Sequence, residues 1–359
     1  MSQLTRTDLE ALPSYVPGRN PADLARDLGL PEAIKLASNE VPYGPLPGVT
    51  EAVALAATQV HRYPDMAVQG LRHALAERLG VPVERIATGC GSVALLEHLV
   101  KATCLPGAEV VYSWRSFEAY PIVVAGAGAT SVQVPNTAGH GHDLDAMLAA
   151  ITPATRLVLV CNPNNPTGTT VDRAALGRFL DRVPQDVLVV LDEAYLEFIT
   201  DPEVCDGLVE FGDHPNVVVL RTFSKAWGLA GLRAGYLVAS APVAETVRKI
   251  VTPFSTNALA QSAAVAALAA DGEMRRRAAA VVAERDRVVP ALRKFVPDAP
   301  DSQANFVWLP IGEAAVPFAR HCESHGVIVR PFAGDGVRAS FGTTEQNDRF
   351  IEVATAFFD

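Results

Sequence analysis

No stretch of the 359 residues approaches the roughly 18 consecutive apolar residues that span a bilayer. The opening MSQLTRTDLE also lacks the apolar core of a secretory leader. A membrane role is therefore not expected, and a cytoplasmic location is. Cysteine is sparse and badly spaced for metal or disulfide chemistry: Cys90, Cys104, Cys161, Cys205 and Cys322 are odd in number and form no C-x-x-C pair. Positive charge is in deficit. A net charge of −10 and a pI near 5.3 argue against a nucleic-acid partner, whose phosphates demand a basic face. No internal repeat or long polar tract interrupts the chain, and 49% hydrophobic with 19% charged residues is an ordinary globular balance.

The chain is rich instead in short apolar runs separated by helix-period segments. The clearest are RIATG (85–89), EVVYS (109–113), RLVLVCN (156–162), VLVVLD (187–192) and NVVVLRT (216–222). Runs that are apolar at consecutive positions suit strands covered on both faces, and their alternation with helices predicts a mostly parallel central sheet flanked by helices, an α/β fold. Each run ends in polar or glycine-containing sequence, where open α/β sheets bind their ligands. Beyond about Ile250 come an Ala-rich helical region, a charged helix near residues 272–295, and the strand-like NFVWLP, GVIVR and VRASF. This texture predicts a smaller α+β domain, and 359 residues exceed the roughly 250–300 at which single cores stop growing. The expected division is an N-terminal arm over 1–38, a large domain over 39–248 and a small domain over 249–359.

Chemistry collects at the ends of these runs. GCGSVALLEHLV (89–100) is a glycine turn that opens a helix, which aims free backbone N–H groups at an anion such as phosphate. CNPNNPTG (161–168) holds Asn164 and Asn165 in a proline- and glycine-bounded turn, and LDEAYLEF (191–198) puts Asp192 at a strand end with Tyr195 three residues on. Taken singly, these are also ordinary features: a turn, a helix cap, a packed tyrosine. The next run leads into TFSKAWGLAGLRAGY (222–236), with Lys225 in a Ser/Gly-rich turn and Arg233 eight residues later. An acid, a phenol, an amide, a lysine and phosphate donors at one sheet edge match the needs of pyridoxal phosphate. Lys225 would form the covalent link and act as general base, Asp192 would face the ring nitrogen, and Tyr195 and Asn165 would donate to the ring oxygen. Ser92, Ser224 and Arg233 would hold the phosphate, a guanidinium being suited to bidentate grip. Gly91, Val93 and Thr222 count with them as cofactor neighbours.

NPNNPTG, DEAY, TFSKAWGLAGLRAGY and the C-terminal GVRASFGT resemble the fold-type I pyridoxal-phosphate-dependent aminotransferases, in the histidinol-phosphate aminotransferase branch. NEVPYGPLP (39–47), RYPD (62–65) and WRSFEAYP (114–121) are most similar to the actinobacterial aromatic amino acid aminotransferases. The resemblance implies ping-pong transfer of an amino group between an aromatic L-amino acid and a 2-oxo acid such as 2-oxoglutarate. Its alternative is histidinol-phosphate transamination. It also implies a homodimer in which Tyr63 reaches the neighbouring subunit's cofactor phosphate. Phe117 would lie against the pyridine ring and Arg338 would hold the substrate α-carboxylate. Tyr15, Asn39 and Arg330 would border the side-chain pocket. Two positions depart from the common pattern. Phe117 stands where many relatives have Tyr, and Val41 of NEVP replaces an amide, which favours an apolar substrate. Arg330 favours a phosphate.

Other readings carry less. A dinucleotide fingerprint fails because Ala94 stands where its third glycine belongs. A non-catalytic sensor of the same fold is disfavoured because every catalytic position is filled. His321 and His325 in HCESH are one helical turn apart, without a further ligand pattern and on a helix that reads as solvated. HGH (140–142) reads as a polar loop, and Trp114 and Trp227 as either pocket lining or packing.

Overall fold

The computed structural model describes residues 6–10, 12 and 18–359, so Tyr15 lies outside the described residues. Seven strands form the central sheet: β1 (Ile86–Gly89), β2 (Glu109–Trp114), β3 (Thr130–Pro135), β4 (Thr155–Cys161), β5 (Leu188–Asp192), β6 (Val217–Thr222) and β7 (Gly235–Val238). Their order is β1-β7-β6-β5-β4-β2-β3. Strands β3, β2, β4, β5 and β6 run parallel, whereas β7 is antiparallel to both β6 and β1.

Alternate residues of a strand project to opposite faces, and both faces are covered. Leu157 and Leu159 of β4 join one buried cluster, and Val158 and Val160 join the other. The covering helices include α1 (Ser92–Thr103), α2 (Ala119–Gly126), α3 (Leu144–Ala149), α4 (Arg173–Leu180) and α5 (Gly207–Phe211), one in each crossover between successive strands from β1 to β6. All five runs singled out in the sequence form strands within one or two residues of the expected bounds. Two strands carry no such signal. β3 is the sheet's edge and only Val134 of it is buried. β7 is four residues long and lies inside the lysine motif.

A second, three-stranded antiparallel sheet contains β8 (Phe306–Leu309), β9 (Arg330–Phe332) and β10 (Gly336–Ser340), in the order β9-β10-β8. It packs with α6 (Asp271–Leu292), α7 (Ala315–Ser324) and α8 (Thr344–Phe358). The run GVIVR divides between two pairings. Its Val327–Ile328 joins the two-residue strand Ile34–Lys35 in parallel, and Arg330 begins β9. Leu24, Ala25, Ala33 and Ala37 gather around Ile328. Leu36 N–H then donates to Ile328 O at 2.8 Å, and Leu36 O accepts from Ser340 N–H at 2.8 Å. These bonds deliver Ser38 and Asn39 to the space between the two sheets. The helix carrying HCESH is less solvated than its charges suggest, since Cys322 is fully buried and His321 bonds to Val353 O. Among the described residues no His, Cys, Asp or Glu group is arranged for a metal, and no helix is long and apolar enough to cross a membrane.

Candidate active site

A cavity of about 520 Å³ opens between the carboxyl ends of β4, β5 and β6 and the second sheet. Its floor holds Asp192, the last residue of β5, and Thr222, the last of β6. Asp192 is 5% exposed, and its Oδ2 accepts from the Tyr120 hydroxyl at 2.8 Å. Its Oδ1 is buried with no hydrogen-bond partner. An orphaned carboxylate oxygen in a cavity is costly unless a donor arrives there. Burial lifts the Asp192 carboxyl to about 6, against the lowering effects of the Tyr120 hydroxyl, the Ala194 backbone N–H and the Lys225 charge.

Lys225 borders the same cavity, and its Nζ donates to Ser38 O at 3.2 Å. Burial, then the Arg338 charge, and less strongly that of Arg233, bring its amine down to about 7, while Glu40 and Asp192 pull the other way. This lysine is therefore substantially neutral near neutrality, as a nucleophile or base must be. Tyr195 Oη accepts from Asn39 Nδ2 at 2.8 Å, and its ring meets Phe306 edge-on. Burial pushes its hydroxyl pKa up, so the phenol stays protonated. Asn39 sits in the left-handed region at φ 55°, fixed by Ser340 Oγ, which accepts from its N–H at 2.8 Å, and by Asn305 Nδ2, which donates to its carbonyl.

The two amides of NPNNPTG divide their work. Asn164 faces the protein, accepting from Ser116 Oγ at 2.7 Å and donating to Thr167 Oγ1 at 2.9 Å. Asn165 faces the cavity, and its Oδ1 accepts from Arg338 Nη1 at 2.6 Å. Arg338 Nη2 donates to Ala37 O at 2.6 Å, so the guanidinium is held from two sides. At the opposite end, Gly91 caps α1 at φ 82°, and a Cβ there would lie 2.4 Å from Arg233 Nη2. Gly235 is constrained by backbone instead, since its Cβ would lie 2.5 Å from Ser92 N. The glycines thus let the start of α1, Ser224 and Arg233 crowd together, with Arg233 Nη1 donating to Ser224 Oγ at 3.1 Å. This is an anion cradle made from a helix N-terminus, a hydroxyl and a guanidinium.

Phe117 and Val93 also border the cavity. Tyr63 does not: it is 82% exposed and stacks on Phe254 with ring centroids 4.5 Å apart. Trp227 is buried, donating from Nε1 to Glu197 at 2.9 Å, and Trp114 lies beneath the Arg115 guanidinium, so neither lines the cavity. Arg330 stands opposite Arg338 on the neighbouring strand, but its Nη2 donates to both oxygens of Glu118, at 2.8 and 3.0 Å. Sequence reading passed over Tyr120, Glu118 and the Ser38 carbonyl. The first two lie within WRSFEAYP, but what they touch is set by chain segments far away.

Residues 31–353 match the family model described as aminotransferase class I and II. The chain belongs to the class I and II aminotransferases. It is 58% identical over 352 residues to the aromatic amino acid aminotransferase of Streptomyces avermitilis, covering 98% of this chain and 97% of that one. The aromatic amino acid aminotransferase of Rhodococcus jostii is 54% identical over 356 residues, covering 99% and 96%. Among solved structures, the histidinol-phosphate aminotransferase from Sinorhizobium meliloti, in complex with pyridoxal-5'-phosphate, superposes with a TM-score of 0.86 at 30% identity, over 99% of both chains. Aminotransferases of this class work with pyridoxal 5'-phosphate, and the cavity of this aminotransferase fits it on its own evidence. The orphaned Asp192 Oδ1, the near-neutral Lys225 amine and the anion cradle beneath Gly91 are what its ring nitrogen, carbonyl and phosphate require.

Proposed function

We propose that this aminotransferase moves amino groups between aromatic L-amino acids and a 2-oxo acid such as 2-oxoglutarate, in two half-reactions on pyridoxal phosphate. The observation that carries the choice of substrate is the engagement of Arg330 by Glu118, which neutralises the arginine that a phosphate-bearing substrate would need. The names of the relatives above 50% identity agree with this reading.

When bound, the cofactor supplies a carbonyl carbon that condenses with amines and a ring that accepts the electron pair left at the substrate α-carbon. The protein does the rest. Ser92, Ser224, Arg233 and the backbone beside Gly91 would hold the phosphate, with Val93 and Thr222 alongside. Asp192 would keep the ring nitrogen protonated, Tyr195 and Asn165 would donate to the ring oxygen, and Phe117 would lie against the ring. Lys225 Nζ would be the covalent anchor and the base for the proton at the substrate α-carbon. Arg338, steadied by Asn165, grips the α-carboxylate. Asn39 borders the side chain, with Tyr15 assigned beside it by resemblance alone. In this reading residues 39–248 hold the cofactor, residues 249–359 supply the carboxylate grip, and 1–38 is an arm whose described stretch 34–38 pairs with the small domain.

The working unit is a homodimer in the cytoplasm. Tyr63, with Leu55, Val60 and Met66, is a largely exposed apolar residue, and such a group suits burial against a second copy. Five free cysteines agree with a reducing compartment. A single-turnover experiment tests the substrate class: the cofactor-loaded protein is mixed separately with phenylalanine, tyrosine, tryptophan and L-histidinol phosphate while the cofactor's visible absorbance is followed. The aromatics should bleach the band rapidly. Rapid bleaching by histidinol phosphate alone would move the protein to that substrate.

A further inference from the structure

We propose that Glu193 and Glu197 are positioning residues: by binding Arg221 and Trp227 they hold the segment carrying Asp192 and Tyr195 at a fixed distance from the one carrying Thr222 and Lys225. The inference rests on the roles given above to Asp192 and Lys225, and neither glutamate borders the cavity. The two segments need such ties. The parallel ladder between β5 and β6 ends where Asp192 pairs with Leu220, and Glu193 N–H donates to Leu220 O at 2.9 Å. Beyond that point, among the described residues, no backbone hydrogen bond joins residues 194–198 to residues 222–227. Side chains take over there.

Successive residues of a strand project to opposite faces, so Glu193 and Arg221 lie behind Asp192 and Thr222, which border the cavity. Glu193 Oε2 accepts from Arg221 Nε at 2.9 Å and Nη2 at 2.7 Å, and its Oε1 accepts from Gly207 N–H at 2.7 Å. Gly207 has no room for a side chain, since a Cβ would lie 2.5 Å from that Oε1. Arg221 Nη2 donates also to Asp206 Oδ1 at 2.5 Å, and Glu193 and Arg221 are both buried. Burial, helped by the Asp206 charge, raises the Glu193 carboxyl to about 7 against the pull of Arg221. Replacing a buried ion pair by apolar groups of similar volume often costs no stability, so this pair is kept for the geometry it imposes. The second tie lies further along both segments. Trp227 Nε1 donates to Glu197 Oε1 at 2.9 Å, and the Arg78 guanidinium covers the indole 4.9 Å from its centroid. Glu197 is two residues past Tyr195 and Trp227 two past Lys225, so this bond links the phenol's segment to the amine's.

The test uses Glu193→Gln/Arg221→Met, which removes both charges while the amide can still accept from Gly207 N–H, and Trp227→Phe, which deletes the second tie and keeps a ring. Each is assayed on cofactor-loaded protein with the amino donor that wild type uses fastest, beside Asp192→Asn. Loosening Asp192 relative to Lys225 should lower kcat by about tenfold in either variant, with KM changed by less than about threefold. Apart from turnover, the visible band of the bound cofactor should shift in position or in the pH of its colour change. Glu197→Gln keeps an acceptor for Trp227 and should retain the wild-type kcat and band. If the double variant does not fold, Trp227→Phe decides. Wild-type kcat and band in either folded variant, or an equal loss in Glu197→Gln, would overturn the proposal. A wild-type rate in Asp192→Asn would instead overturn the role of Asp192, and this inference with it.

Discussion

The two ends of the cavity are built on different principles. At the cofactor end, Asn165, Asp192, Thr222 and Lys225 sit at or just past the ends of adjacent parallel strands, so the ladder that pairs Cys161 with Asp192 and Asp192 with Leu220 fixes their spacing. A buried contact behind them reinforces this, with Arg221 donating to Glu193 Oε2 from Nε at 2.9 Å and from Nη2 at 2.7 Å. At the other end, Arg338 and Arg330 come from the second sheet and bond to side chains in loops that follow strands of the first, Asn165 after β4 and Glu118 after β2, with Arg338 bonded to the Ala37 carbonyl as well. Backbone hydrogen bonds thus define the chemistry, and replaceable side-chain pairs define what is admitted. Substitutions at the first end should act on turnover, and those at the second on recognition.

The largest effect falls at Lys225. Lys225→Ala should lower turnover by more than about a thousandfold, because anchor and proton carrier disappear together; steady-state assay with phenylalanine and 2-oxoglutarate would read this, and a wild-type rate would remove the mechanism. Asp192→Asn should cost about a hundredfold or more in kcat while the cofactor still binds, checked by kinetics beside cofactor titration. Arg338→Leu should act at the other end. There KM for both the amino acid and the oxo acid should rise by about ten- to a hundredfold, with the smaller change in kcat.

The smallest predicted change is at Tyr120. Its hydroxyl lowers the Asp192 pKa against the burial that raises it to about 6. Tyr120→Phe removes that stabilisation of the charged form, so the Asp192 pKa must rise further. Turnover that needs ionised Asp192 should then lose its acidic side first, the low-pH limb moving upward by about one pH unit. A limb that stays in place would reduce Tyr120 to a packing residue beside Phe117 and Tyr112.

The same contrast governs what the sequence disclosed. Runs such as VLVVLD announce buried strands because β-branched residues fill both faces, and the residues that follow such runs must gather at one edge. Lys225, Asp192, Tyr195 and Asn165 were legible for that reason. β3 was not, because a sheet edge with exposed Thr130, Gln133 and Pro135 reads as polar sequence. Pairings across long separations were also hidden. Tyr120 meets Asp192 across 72 residues, and Arg330 meets Glu118 across 212, and no local spacing encodes either contact. Arg330 illustrates the consequence. The family resemblance assigned an arginine at its position to a phosphate, and its pairing with Glu118 argues the other way.

The most direct test of the central claim is a competition. Phenylalanine and L-histidinol phosphate are supplied together at equal concentration with 2-oxoglutarate and the cofactor-loaded enzyme, and both products are quantified at early times, so their ratio reports relative kcat/KM. The account predicts phenylpyruvate in excess by at least about tenfold. Excess of the product from histidinol phosphate would contradict it.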